Sequence, residues 1–152
     1  MTYLLILFVI AIALAPLSHF VPSKRQRQIA RMREYAAVHG LFVEFRDVPR
    51  RQYQDARQRN PVGHDTIYYG KRLKPSRNRG EGARAWLREE EGFVGLERRL
   101  APPSELAGLP PQVLAAGVDE ASCGVYWCEA GTVEDVEQIR QVLEQWAGEL
   151  RG

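Results

Sequence analysis

The stretch Gly124–Leu150, GVYWCEAGTVEDVEQIRQVLEQWAGEL, changes its period halfway along, and that change decides the fold class. Val125, Trp127 and Glu129 alternate with Tyr126 and Cys128, the period of two that a strand requires. Beyond Gly131 the apolar residues Val136, Ile139, Val142, Leu143, Trp146 and Leu150 recur at steps of three, three, one, three and four, the pattern of a helix with a broad apolar face. Thr132 is placed to cap that helix, and Glu134 and Asp135 suit the positive end of its dipole. Such a face needs a sheet beneath it, so the pattern predicts a C-terminal amphipathic helix packed on strands. A helix held out for a partner is the competing reading, and a core role is the commoner one.

Working back along the chain, Val113–Val118 and Gly124–Glu129 flank Asp119–Cys123, a turn composition, and predict a hairpin. Pro102–Pro111 reads as a proline-bounded connection with one helical turn near Ser104. Ala83–Arg88 and Phe93–Glu97 flank Glu89–Gly92 as a second hairpin carrying Trp86 and Val94, with a single short helix ending at Gly92 as its rival. Thr66–Tyr69 is β-branched and aromatic and reads as a strand, whereas Gly70–Gly80 has too few apolar residues to pack and reads as a mobile basic loop. Pro49–Asp65 is either a loop or a surface helix. Leu41, Val43 and Phe45 alternate with Phe42, Glu44 and Arg46 as a strand with one wholly apolar face.

The N-terminal forty residues are different in kind. Lys24–His39 is rich in helix formers and Gly40 can end it. Before it, Tyr3–Val21 is a run of 19 mostly apolar residues, which as a helix would rise roughly 28 Å against a hydrocarbon core of roughly 30 Å. Ala13 and Ala15 mimic a signal-cleavage site, but no charged side chain precedes the run and Pro16 follows the would-be cut. The expectation is a retained span with His19 at the interface. Lys24, Arg25, Arg27, Arg31 and Arg33 behind it would place the N-terminus outside and the rest in the cytoplasm of a bacterial inner-membrane protein. The predicted fold is thus a transmembrane helix over residues 1–22, a basic juxtamembrane helix over 23–40, and a cytoplasmic α+β domain over 41–152 with an antiparallel sheet, a partly rolled one being equally compatible.

Chemistry is sparse. Cys123 and Cys128 are the only cysteines, and with His19, His39 and His64 scattered they make no zinc spacing, so no metal or cofactor is expected. Inert buried thiols are the expectation for both. Phosphate-binding glycine loops, nucleophile elbows and zinc-protease motifs are absent from the sequence. His64 and Asp65 are neighbours, a pairing common by chance, and no enzyme is predicted.

Charge is the remaining signal. The net +2 conceals a segment 46–88 with twelve basic and four acidic side chains and a segment 89–152 with four and thirteen. Lys24, Arg25, Arg27, Lys71, Arg72, Lys74, Arg77 and Arg79 are the candidate contacts to an anionic surface. Tyr53, Tyr68, Tyr69 and Trp86 could stack on bases among the arginines, although nucleic acid is the less favoured partner.

Two resemblances attach to these residues. The apolar run followed by PSKRQRQ resembles the small accessory subunit of the bacterial preprotein translocase, over about residues 1–40; the glycine-rich β segment of that family is replaced here by GLFVEFRDVPRRQY. The strand that opens Gly40-Leu41-Phe42-Val43, the LPPQV connection and VYWCEAG resemble short uncharacterised inner-membrane proteins of Gram-negative bacteria that sometimes carry the translocase label. The resemblances imply an inner-membrane accessory protein and no catalytic residue. The function expected from residues and resemblance together is a single-pass inner-membrane protein with a cytoplasmic protein-binding, adaptor-like domain. Its partners would be the lipid bilayer and another inner-membrane or cytoplasmic protein. The alternative is binding of anionic lipid or nucleic acid through residues 46–88.

Overall fold

The computed structural model describes residues 1–16, 21–50, 66–75, 82–97 and 99–151. They form two compact units, Met1–Ala30 and Arg31–Gly152. The first holds helix α1 (Thr2–Leu14) and the start of helix α2 (Lys24–Val38).

The transmembrane expectation is overturned in α1. The helix has 13 residues, a rise of only about 20 Å, and among the described residues no helix is long and apolar enough to cross a membrane. The physical reason lies in Pro16, two residues past the end of α1: proline has no N–H to donate, and its ring crowds the preceding turn. Placement at an inner membrane, an outward N-terminus and a cytoplasmic location for 41–152 all rested on that span and are corrected with it. His19, expected at the membrane interface, lies outside the described residues. α1 is apolar on every side and none of its residues is buried. Helix α2 opens with a reciprocal cap absent from the sequence expectations: Ser23 N–H donates to Gln26 Oε1 at 2.8 Å, and Gln26 N–H donates to Ser23 Oγ at 3.2 Å.

The second unit is built on six strands: β1 (Phe42–Phe45), β2 (Ile67–Arg72), β3 (Arg84–Glu89), β4 (Gly92–Gly95), β5 (Val113–Val118) and β6 (Ser122–Trp127). They lie in the order β1-β2-β6-β5-β3-β4, an open sheet with every pairing antiparallel. A short 3-10 helix, Ser104–Gly108, occupies the proline-bounded connection. Residues 84–95 form the hairpin rather than the rival helix. Gly70, Lys71 and Arg72, expected in a loop, instead extend β2 and pair with Gly124, Cys123 and Ser122. Residues 51–65 and 76–81 lie outside the described residues, and with them the expectations for most of Pro49–Asp65 and for the end of the basic loop.

Helix α3 (Val133–Glu149) covers one face of the sheet. Its Val136, Ile139, Val142, Leu143 and Trp146 are buried, and Trp146 meets Trp86 edge to face at 5.6 Å. Thr132 and Asp135 cap it reciprocally, so Asp135 does more than complement the dipole. Trp127 and Tyr69 cross at 5.3 Å on the same face.

The opposite face is closed by its own rings. Tyr68, Tyr126 and Ala115 are buried there, with Phe42, Val48 and Leu87 packed around them. Tyr68 lies across two facing glycines, Gly70 and Gly124: a β-carbon on Gly124 would stand 2.6 Å from the Tyr68 hydroxyl oxygen, and one on Gly70 would stand 2.6 Å from Phe42 Cζ. A register shift between Val113 and Ala115 marks a bulge that sets Ala115 opposite Tyr126.

Candidate functional site

The residues expected to meet an anionic surface divide between the two units. Lys24, Arg25 and Arg27 are exposed on the first turns of α2, within Met1–Ala30, whereas Lys71, Arg72 and Lys74 belong to Arg31–Gly152. Arg77 and Arg79 lie outside the described residues, as do Tyr53, His64 and Asp65. Lys71 Nζ donates to Glu144 Oε1 at 3.2 Å, and the Arg72 guanidinium stands 5.1 Å from the Phe42 ring centre.

Other members of the basic segment also serve the fold. Arg88 donates to the carbonyls of Val113 at 2.8 Å, Pro110 at 3.0 Å and Leu109 at 3.1 Å, pinning the connection before β5. Burial lowers its pKa. Arg46 lies 4.3 Å from the Tyr68 ring centre and bonds Glu44 at 2.7 Å and Asp119 at 3.2 Å. The aromatics expected to stack on bases, Tyr68, Tyr69 and Trp86, are core residues.

The most concentrated polar chemistry is at the end of β6. Glu129 is buried, and its backbone has φ 52, a left-handed conformation costly for a residue with a β-carbon. Arg33 grips its carboxylate with two bonds, Nε to Oε1 at 2.8 Å and Nη2 to Oε2 at 2.7 Å, and the Tyr69 hydroxyl donates to Oε1 at 2.7 Å. Burial, reinforced by the Glu129 hydrogen bond, pushes the Tyr69 hydroxyl well above its ordinary range. Every group in this trio has a partner, and its effect is to hold the C-terminal half of α2 against the sheet. A neighbouring set joins that half to α3: the Tyr35 hydroxyl donates to Glu137 at 2.7 Å, and Arg140 holds the same carboxylate. The Arg140 bonds, followed by Tyr35's, keep Glu137 below the usual carboxylate range.

Of the two cysteines, Cys123 is buried and Cys128, just past β6, is only half-buried. Among the described residues no group of three or more His, Cys, Asp or Glu is placed to hold a metal ion.

What the unit leaves open is β1. This strand pairs with β2 on one side, and among the described residues no strand pairs with its other side. Phe45, expected on the wholly apolar face of the strand, is 76% exposed, with the Arg33 guanidinium over its ring at 5.8 Å. The signal in the sequence was its place at the end of a strand, beside the charged Arg46 and Asp47. Comparison with known protein families, with curated proteins and with solved structures found no match to this chain.

Proposed function

We propose that the chain is a non-enzymatic accessory protein whose domain Arg31–Gly152 binds another protein through strand β1 and Phe45. The observation that carries this reading is the exposure of Phe45 on a strand whose outer edge has no partner among the described residues, since an open edge offers backbone hydrogen bonds and a large apolar side chain together. The rival reading, an anionic ligand on the basic segment, is weakened by the internal engagements of Arg46, Lys71, Arg72 and Arg88 and by the burial of Tyr68, Tyr69 and Trp86.

A photoreactive amino acid in place of Phe45 in the full chain tests it in cells. The expected outcome is a discrete covalent adduct to one protein species, absent when the same group replaces the exposed Gln145 of α3. Equal labelling from both positions, or none from Phe45, would sink the reading.

A further inference from the structure

We infer that the occupant of the β1 edge is a second copy of this chain, paired antiparallel about a two-fold axis through Phe45. This rests on the reading of β1 as a protein-contact strand and names its partner.

The two edges of the sheet differ. β4, the far edge, is Gly92–Gly95, and the chain beyond it folds back so that the Leu100 carbonyl presses on Gly95. β1 has neither glycine nor proline nor lysine within Phe42–Phe45, and no described residue is paired along its outer side. Its single charge, Glu44, is engaged by Arg46.

Symmetry then restricts the register. In an antiparallel pair, residues opposite one another share a face, so a two-fold pairing of β1 with itself must be centred on one residue. Centring on Glu44 sets two carboxylates against each other. Centring on Val43 sets each Glu44 against Phe42 of the other copy, and centring on Phe42 sets Glu44 against Gly40 and leaves Phe45 uncovered. Centring on Phe45 sets ring against ring and, one step to each side, Glu44 against Arg46 of the other copy. Arg46 is one residue beyond β1, so pairing would lengthen the strand by that residue. Of these registers, the Phe45 one matches charge with opposite charge and apolar with apolar, and it covers the most exposed aromatic among the described residues of this unit.

Register-specific crosslinking of the full chain tests the inference, in a Cys128→Ser background that removes the half-buried thiol. Phe45→Cys should oxidise readily to a covalent dimer, since paired positions bring β-carbons within about 5.5 Å, whereas Glu44→Cys should crosslink at least about tenfold more slowly. In sedimentation, Glu44→Arg should weaken self-association by about tenfold, and Glu44→Arg with Arg46→Glu should restore it. Equal crosslinking at the two positions, or a monomer at all concentrations, overturns the inference. A monomer whose Phe45 position still captures a different protein overturns the second copy and leaves the protein-binding reading standing; a Phe45 position that captures nothing overturns both.

Discussion

The two faces of the sheet are closed in different ways. Under α3 the cover is a separate element, and side chain meets side chain: Trp146 on Trp86, and Ile139, Val142 and Leu143 buried with Val125 and Trp127. On the other face the sheet covers itself, with the Tyr68 ring laid over backbone at Gly70 and Gly124 and 4.9 Å from Tyr126. The first arrangement adds stability through area, and its side chains can adjust to one another. The second has no such slack, because a ring against backbone has nothing soft to displace.

The largest effect should come from the helix-covered face. Ile139→Asp forces either an unpaired buried carboxylate or an undocked α3, and should cost about 4 kcal/mol in urea unfolding. A midpoint like that of the parent chain would show that α3 is not the cover.

Gly124→Val probes the ring-covered face at a smaller cost, about 3 kcal/mol, because the new β-carbon would stand 2.5 Å from the Tyr69 carbonyl oxygen. Gly117→Ala is the matched control: the nearest atom is Tyr126 Cε2 at 3.5 Å, and the change should stay under about 1 kcal/mol. Equal losses at the two glycines would erase the distinction between ring over backbone and ordinary packing.

The smallest effect is electrostatic and sits at the rim of the ring-covered face. Burial alone would raise the Asp119 carboxyl, but hydrogen bonds from the backbone of Ala121 and Ser122, from Arg46 and from the Ser122 side chain together outweigh it and hold the group below its ordinary value. A depressed carboxylate contributes stability above its unfolded pKa and loses it as pH falls through the folded value, so the loss begins near pH 4 and is complete only at lower pH. Solvent screening keeps it under about 1 kcal/mol. Asp119→Asn should flatten that part of the pH–stability curve relative to the parent chain; an unchanged slope would remove Asp119 from the account.

The helix-covered face was legible because α3 repeats at three and four and Thr132 marks its start, both local signals. The ring-covered face was half legible: Thr66–Tyr69 and Gly124-Val125-Tyr126 are visible as strands, but Gly70 reads as the start of a loop, and only the pairing of β2 with β6 sets it opposite Gly124 beneath one ring. That pairing joins residues fifty or more positions apart, and no local period encodes it. The bulge at Val113–Ala115 lies within the hairpin of β5 and β6, yet no period in the sequence marks it. Basic residues of the segment read as a binder of anionic partners have partners within the fold for the same reason, since Glu144 for Lys71 and Asp119 for Arg46 are supplied by distant segments. At the N-terminus the composition of Tyr3–Val21 outweighed Pro16 in the reading, whereas in the structure α1 ends at Leu14. Alternation placed Phe45 on the apolar face of a strand; only the sheet order shows that β1 is outermost among the described strands.

The Tyr68 ring has a consequence for time as well as for stability. It is held by Ser122 through its hydroxyl at 3.1 Å, by Arg46 over one side and by two glycine backbones beneath. A half-turn of the ring sweeps through the space where β2 and β6 lie, so it can turn only when those strands part. Its flipping is therefore slow compared with that of an exposed tyrosine, and the ring serves as an internal clock for the breathing of the sheet's centre.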